Sequence, residues 1–226
     1  VWSTGEGFGI DDIHIYETPN EIYIGGNTAV STTSTGSGWI HFDNAGQRIA
    51  SINDNGTNLG LVTTDVYFNL LSSATRSYFG KYYLDRNFRI QPTNDVPGVY
   101  TVRLYFTHDE LDSLFAVDNS FNIANTLGVT QYDGINEDSI PENNGEGFTY
   151  INANMVTVIP YDSGYYAEFA ITSFSEFYLG DTLEGHIPTP NLGNDTAICN
   201  GDTIILLADT GDTFSYLWNS GSTSPF

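Results

Sequence analysis

Apolar and polar residues alternate in short runs along most of this chain. In the run 99–107, Val102, Leu104 and Phe106 fall on one side while Arg103 and Tyr105 fall on the other. That is the period of a strand with one buried face. The run 165–172 repeats it, setting Ala167, Phe169 and Ile171 against Tyr166, Glu168, Ala170 and Thr172. The same reading predicts strands at 22–24, 29–33, 39–42, 48–52, 62–69, 78–84, 88–92, 129–132, 148–151, 155–159 and 174–179. Gly-, Asn- and Asp-rich turns separate them, at 43–46, 53–56 and 95–98. One helix interrupts the strands. Thr107 followed three residues later by Glu110 is a capping box, and Leu111, Leu114 and Phe115 share a face beyond it. His108 is then an exposed first-turn residue.

This texture predicts an all-β chain of tandem β-sandwich modules, Ig-like or jelly-roll-like, with one short helix. Residues 1–20 hold a single strand in which Ile13 and Ile15 oppose His14 and Tyr16. A lone strand cannot bury itself, so it is expected to finish an upstream sandwich. Residues 21–183 form the central domain. Pro188, Pro190 and Gly185 mark 184–191 as a linker, and 192–226 begins a further β module. The chain opens without Met and inside a pattern, which reads as an interior fragment.

Composition adds two constraints. The aromatic count is high (15 Tyr, 14 Phe, 3 Trp), as suits strands. Lys+Arg number 6 against 28 Asp+Glu, a formal net charge of −22. Such a surface repels phosphate backbones and anionic bilayers, which argues against nucleic-acid and membrane partners. Cys199 is the only cysteine, so neither an internal disulfide nor a Cys-built zinc site is available. No apolar run approaches the roughly 18–20 residues that span a bilayer.

Two resemblances follow from particular residues. Leu192-Gly193-Asn194-Asp195-Thr196, Ile198-Cys199, Gly201-Asp202-Thr203, Leu206-Leu207-Ala208 and Tyr216-Leu217-Trp218 resemble the Ig-like, PKD-like repeats of large secreted Bacteroidota proteins, gliding-motility-associated adhesins among them. The middle module, through Asn58-Leu59-Gly60, Tyr83-Leu84-Asp85-Arg86-Asn87 and Ser173-Phe174-Ser175-Glu176-Phe177-Tyr178, is similar to a building block found upstream of type IX secretion sorting domains. The opening Gly9-Ile10-Asp11-Asp12-Ile13 is similar to the last strand of MAM or laminin-G jelly rolls. These resemblances imply an extracellular, cell-surface protein whose partners are neighbouring modules or subunits of the same assembly, and glycans.

Candidate chemistry is sparse. The four histidines at 14, 41, 108 and 186 lack zinc spacing, and no nucleophile elbow or Ser/His/Asp set stands out. Neighbouring carboxylates such as Asp11-Asp12 point to opposite faces of a strand and cannot easily share a glycosidase site. Two readings of the loop 133–139 stand: an acidic solvated loop, or a structural Ca²⁺ site built from Asp133, Asn136, Glu137 and Asp138. No other cofactor is expected. Arg76, Lys81, Arg86, Arg89 and Arg103 are expected to pair with surplus carboxylates, with docking to an acidic neighbour as the alternative. Exposed Tyr and Trp on a sandwich face would stack on sugars; the plainer role for these rings is core or cross-strand packing. The expected function is a non-catalytic structural or adhesive segment: a stalk, an adhesin or a fibre subunit. The alternative is an accessory or carbohydrate-binding module of a secreted hydrolase whose catalytic domain lies elsewhere.

Overall fold

The computed structural model describes residues 21–69, 75–78, 81–117, 127–144 and 147–180. The terminal strand at 1–20, the linker and the module starting at 192 lie outside the described residues. Within them, two antiparallel sheets pack face to face, which makes the central region an all-β sandwich.

Twelve strands run in chain order: β1 (Thr28–Ser34), β2 (Trp39–Asn44), β3 (Gln47–Asn53), β4 (Gly60–Phe68), β5 (Thr75–Tyr78), β6 (Lys81–Pro92), β7 (Tyr100–Thr107), β8 (Gly128–Tyr132), β9 (Phe148–Ile151), β10 (Thr157–Tyr161), β11 (Gly164–Ile171) and β12 (Glu176–Gly180). The larger sheet has the order β1-β4-β6-β12-β8-β9, with β5 pairing along the start of β6. The smaller has the order β10-β11-β7-β3-β2.

The alternation in the sequence becomes the two sides of each sheet. Val102, Leu104 and Phe106 of β7 and Ala167, Phe169 and Ile171 of β11 point into the sandwich, where they meet Phe88, Ile90, Phe177 and Leu179 of the larger sheet. Phe169 and Phe177 touch across the layers with ring centroids 5.8 Å apart. Each such buried ring contributes roughly 1.5–3 kcal/mol through the surface it removes from water.

The expected strands at 78–84 and 88–92 are one from Lys81 onward, while Tyr78 ends β5. Asp85, Arg86 and Asn87 look like a polar interruption, yet all three are buried within the twelve-residue β6. Arg86 points inward and is paid for by a partner: its Nε donates to Glu110 Oε1 at 2.6 Å, and its Nη1 donates to the Tyr105 carbonyl at 2.9 Å. The segment expected as a strand at 22–24 makes only one bridge, between Ile22 and Arg48.

The helix α1 (His108–Val117) starts where the capping box places it. Glu110 N–H donates to Thr107 Oγ1, and Glu110 Oε2 accepts from both the Thr107 N–H and hydroxyl. Glu110 thus caps the helix with one oxygen and neutralises Arg86 with the other. His108 is exposed, its ring edge-on to Tyr165. Among the described residues no helix is long and apolar enough to cross a membrane.

Candidate functional site: the outer face of the five-stranded sheet

The outward residues of the two sheets have different fates. Over the larger sheet, residues 133–144 form a strap anchored on the strands beneath. Arg89 Nη1 donates to the Glu137 carbonyl at 2.8 Å, and Arg76 Nη2 donates to the Ser139 carbonyl at 3.2 Å. The Glu176 carboxylate, fully buried, accepts from the Ser139 N–H and hydroxyl on one oxygen and from Tyr178 OH on the other. Burial pushes Glu176 up, with the Tyr178 and Ser139 bonds opposing.

The four residues expected as calcium ligands lie on this strap. Asp138 is exposed and makes a local turn: its Oδ1 accepts from the Ile140 N–H and its Oδ2 from Asn143 Nδ2. Asn136 is exposed and donates to the Asn143 carbonyl. Asp133 fastens the strap's base, its N–H donating to the Gly147 carbonyl at 2.9 Å. Glu137 is half-buried and its carboxyl is pushed up to about 7, first by burial, then by the charges of Glu176 and Asp133. Among the described residues no three His, Cys, Asp or Glu side chains gather into a group that holds a metal.

The outer face of the smaller sheet carries no such cover among the described residues. Its registers place His41 beside Ser51, Ser51 beside Arg103, and Arg103 beside Glu168. The next row sets Tyr105 beside Tyr166. Same-face neighbours on adjacent strands lie within side-chain reach, and here they converge. The Arg103 guanidinium sits 3.9 Å above the Trp39 ring and 4.8 Å from the Tyr166 ring, while its Nε donates to Glu168 Oε2 at 2.6 Å. A cation held between two aromatic faces gains about 0.5–2 kcal/mol per contact as it loses water. The guanidinium is thus in contact with both an indole and a phenol ring.

Beside it lies a second cluster. Tyr105, buried, is packed edge-on by Tyr161 at 4.8 Å and tilted against Tyr166 at 5.3 Å. Arg48 lies 5.8 Å from the Tyr105 ring and forks onto Asp43 through Nε and Nη2. Arg48 Nη1 also approaches His41 Nδ1 at 2.9 Å, and Ser51 Oγ approaches the same nitrogen at 2.8 Å. A guanidinium only donates, so Nδ1 accepts and the imidazole proton resides on Nε2. Burial, then the charge of Arg48, lower the His41 pKa, which keeps the ring neutral at pH 7.

Serine, histidine and aspartate thus come together here, a grouping the sequence alone does not single out. The geometry is not that of a nucleophile and its base. Ser51 is fully buried under the face and also contacts Tyr105 OH at 3.2 Å, and the His41 nitrogen it touches is committed to Arg48. Asp43 and Glu168, the carboxylates of this face, are each clamped by an arginine. No protein-family model matches the chain, and neither the curated proteins nor the solved structures contain a significant match.

Sequence reading places Arg103 and Tyr105 outward on one strand and Tyr166 and Glu168 outward on another. It misses Trp39, His41, Asp43 and Arg48 as their companions. Their β2–β3 hairpin joins β7 through β3, a pairing that no local pattern announces.

Proposed function

We propose that this chain is a non-catalytic adhesive segment of an extracellular surface protein, and that it makes contact through the outer face of the five-stranded sheet. One observation carries the reading: the other sheet's outer face is strapped by residues 133–144, while this one presents half-buried rings and committed ion pairs with nothing among the described residues folded over them. Half-buried Trp and Tyr with neighbouring Arg is the residue mixture of a recognition surface. The strongly acidic composition suits a salt-exposed surface, and the resemblances to Bacteroidota adhesins point the same way.

The test is retention on surfaces. Fluorescent beads bearing the full chain are washed over cellulose, chitin, agarose and epithelial-cell layers. At least one surface should retain them, and Trp39→Ala or Arg103→Ala should release them while Thr63→Ala, on the larger sheet, does not. Retention on none of these surfaces, or retention insensitive to Trp39 and Arg103, overturns the proposal.

A further inference from the structure

We infer that the face takes an uncharged saccharide chain, an inference that rests on the reading of this face as the contact surface. The first argument is charge. The whole chain carries a formal −22, yet the strands of this face pair their charges, Arg48 with Asp43 and Arg103 with Glu168 beside a neutral His41, and Asp162 next to Tyr161 adds one carboxylate at the rim. A polyanion is repelled by the molecule as a whole and finds both guanidinium groups here already bonded to carboxylates, Arg48 through two nitrogens and Arg103 through Nε. A cationic partner is drawn to the excess carboxylates elsewhere, so this is the least attractive place for it. A second copy brings the same negative charge. An uncharged occupant is the one for which this location carries no electrostatic penalty.

The second argument is chemistry. A pyranose presents a C–H face to aromatic rings and a rim of hydroxyls that both donate and accept. Trp39, Tyr161 and Tyr166 supply the rings, none of them fully buried. The rim needs donors and acceptors in alternation. His41 Nε2–H and the Arg103 N–H groups other than the Nε bonded to Glu168 supply the donors, and the remaining lone pairs of the Asp43 and Glu168 carboxylates supply the acceptors. A planar guanidinium fixed against a carboxylate offers both in one plane, matched to a vicinal diol.

The third argument is order. Arg103 is held by Trp39, Tyr166 and Glu168 at 3.9, 4.8 and 2.6 Å. Arg48 is held by Asp43, His41 and Ser51. These long side chains are already immobilised, so a ligand meets little further ordering cost.

Calorimetric titration of the full chain with cellohexaose, xylohexaose, mannohexaose and maltohexaose, beside hexagalacturonate, tests this. Binding to at least one neutral hexasaccharide is expected, with hexagalacturonate weaker. Trp39→Ala should weaken that binding at least about tenfold with the melting temperature little changed. Arg103→Lys, which keeps the charge but loses the planar guanidinium against the two rings, is the second variant should Trp39→Ala misfold, and it should weaken binding as well. Binding of hexagalacturonate alone, or of none of the five, overturns the inference. So does self-association in sedimentation velocity that Arg103→Lys abolishes, which would make a second copy the occupant. Bead retention that depends on Trp39 but is not competed by any neutral hexasaccharide leaves the adhesive reading standing and removes the saccharide.

Discussion

Two acidic side chains show how differently one residue type behaves with its surroundings. Glu110 is buried against Arg86, with side-chain exposures of 6% and 1%. Glu110→Gln removes the counter-charge and leaves a buried guanidinium. That should cost about 3–5 kcal/mol in denaturant unfolding, whereas replacing both residues with Met should cost much less. Glu137 is the opposite case. Its folded pKa of about 7 exceeds the ordinary 4.5, so the folded chain holds more protons than the unfolded chain between those values. Its contribution to stability is therefore full below about 4.5 and is lost as pH rises through about 7. Thermal melts should show Glu137→Gln more stable than the parent at about pH 8, with no such advantage at about pH 4. A slope shared with the parent will remain, because burial raises Glu176 in the same direction. An identical pH profile in parent and variant would remove this account of the strap.

Turns and hairpins set where the side chains of the contact face end up. Ala45 and Gly46 form a two-residue loop between β2 and β3, with φ of 52° and 83°. Such turns need positive φ at both positions, which glycine and asparagine tolerate and alanine does not favour. Ala45→Asn should raise stability by a few tenths to ~1 kcal/mol, read as a higher denaturant midpoint; a lower midpoint would mean the loop is not this turn. The turn reading of 43–46 was half legible. Asp and Asn are common turn residues, but Asp43 and Asn44 belong to β2, and that lets Asp43 reach Arg48. At 53–56 the turn chemistry is as expected, and it is centred on Asp54. Burial alone would raise this carboxyl, but bonds from Ser34 Oγ and the N–H groups of Gly38, Gly56 and Gly36 bring it below the usual range. The capping box and the faces of β7 and β11 were legible because they depend on residues close in sequence. The buried Asp85-Arg86-Asn87 stretch was not. Its partners Glu110 and Tyr178 come from distant elements and Arg76 from the neighbouring strand β5, so the run imitates a break between two strands.

At the scale of the molecule, the sandwich itself was plain from alternation and turn spacing, while the division of labour between its two outer faces was not. That division depends on which loop folds over which sheet. The strap of 133–144 reads in sequence as an acidic, solvated or calcium-holding loop because its anchors, Arg76, Arg89 and Glu176, lie on other strands. The excess negative charge is a global property with a global consequence. Self-repulsion should be relieved by salt, so the melting temperature should rise from low to molar NaCl. A flat or falling curve would show that the charge is already neutralised within the fold.

The central claim is that the outer face of the five-stranded sheet is the contact face. Hydroxyl-radical footprinting of the full chain, free and bound to a surface that retains it, reads this directly. Trp39, His41, Tyr161 and Tyr166 should become protected, while Tyr67, Phe148 and Tyr150 of the larger sheet and the exposed Met155 should not change. Protection of the latter set with Trp39 and Tyr166 unchanged would contradict the account and place the contact elsewhere on the molecule.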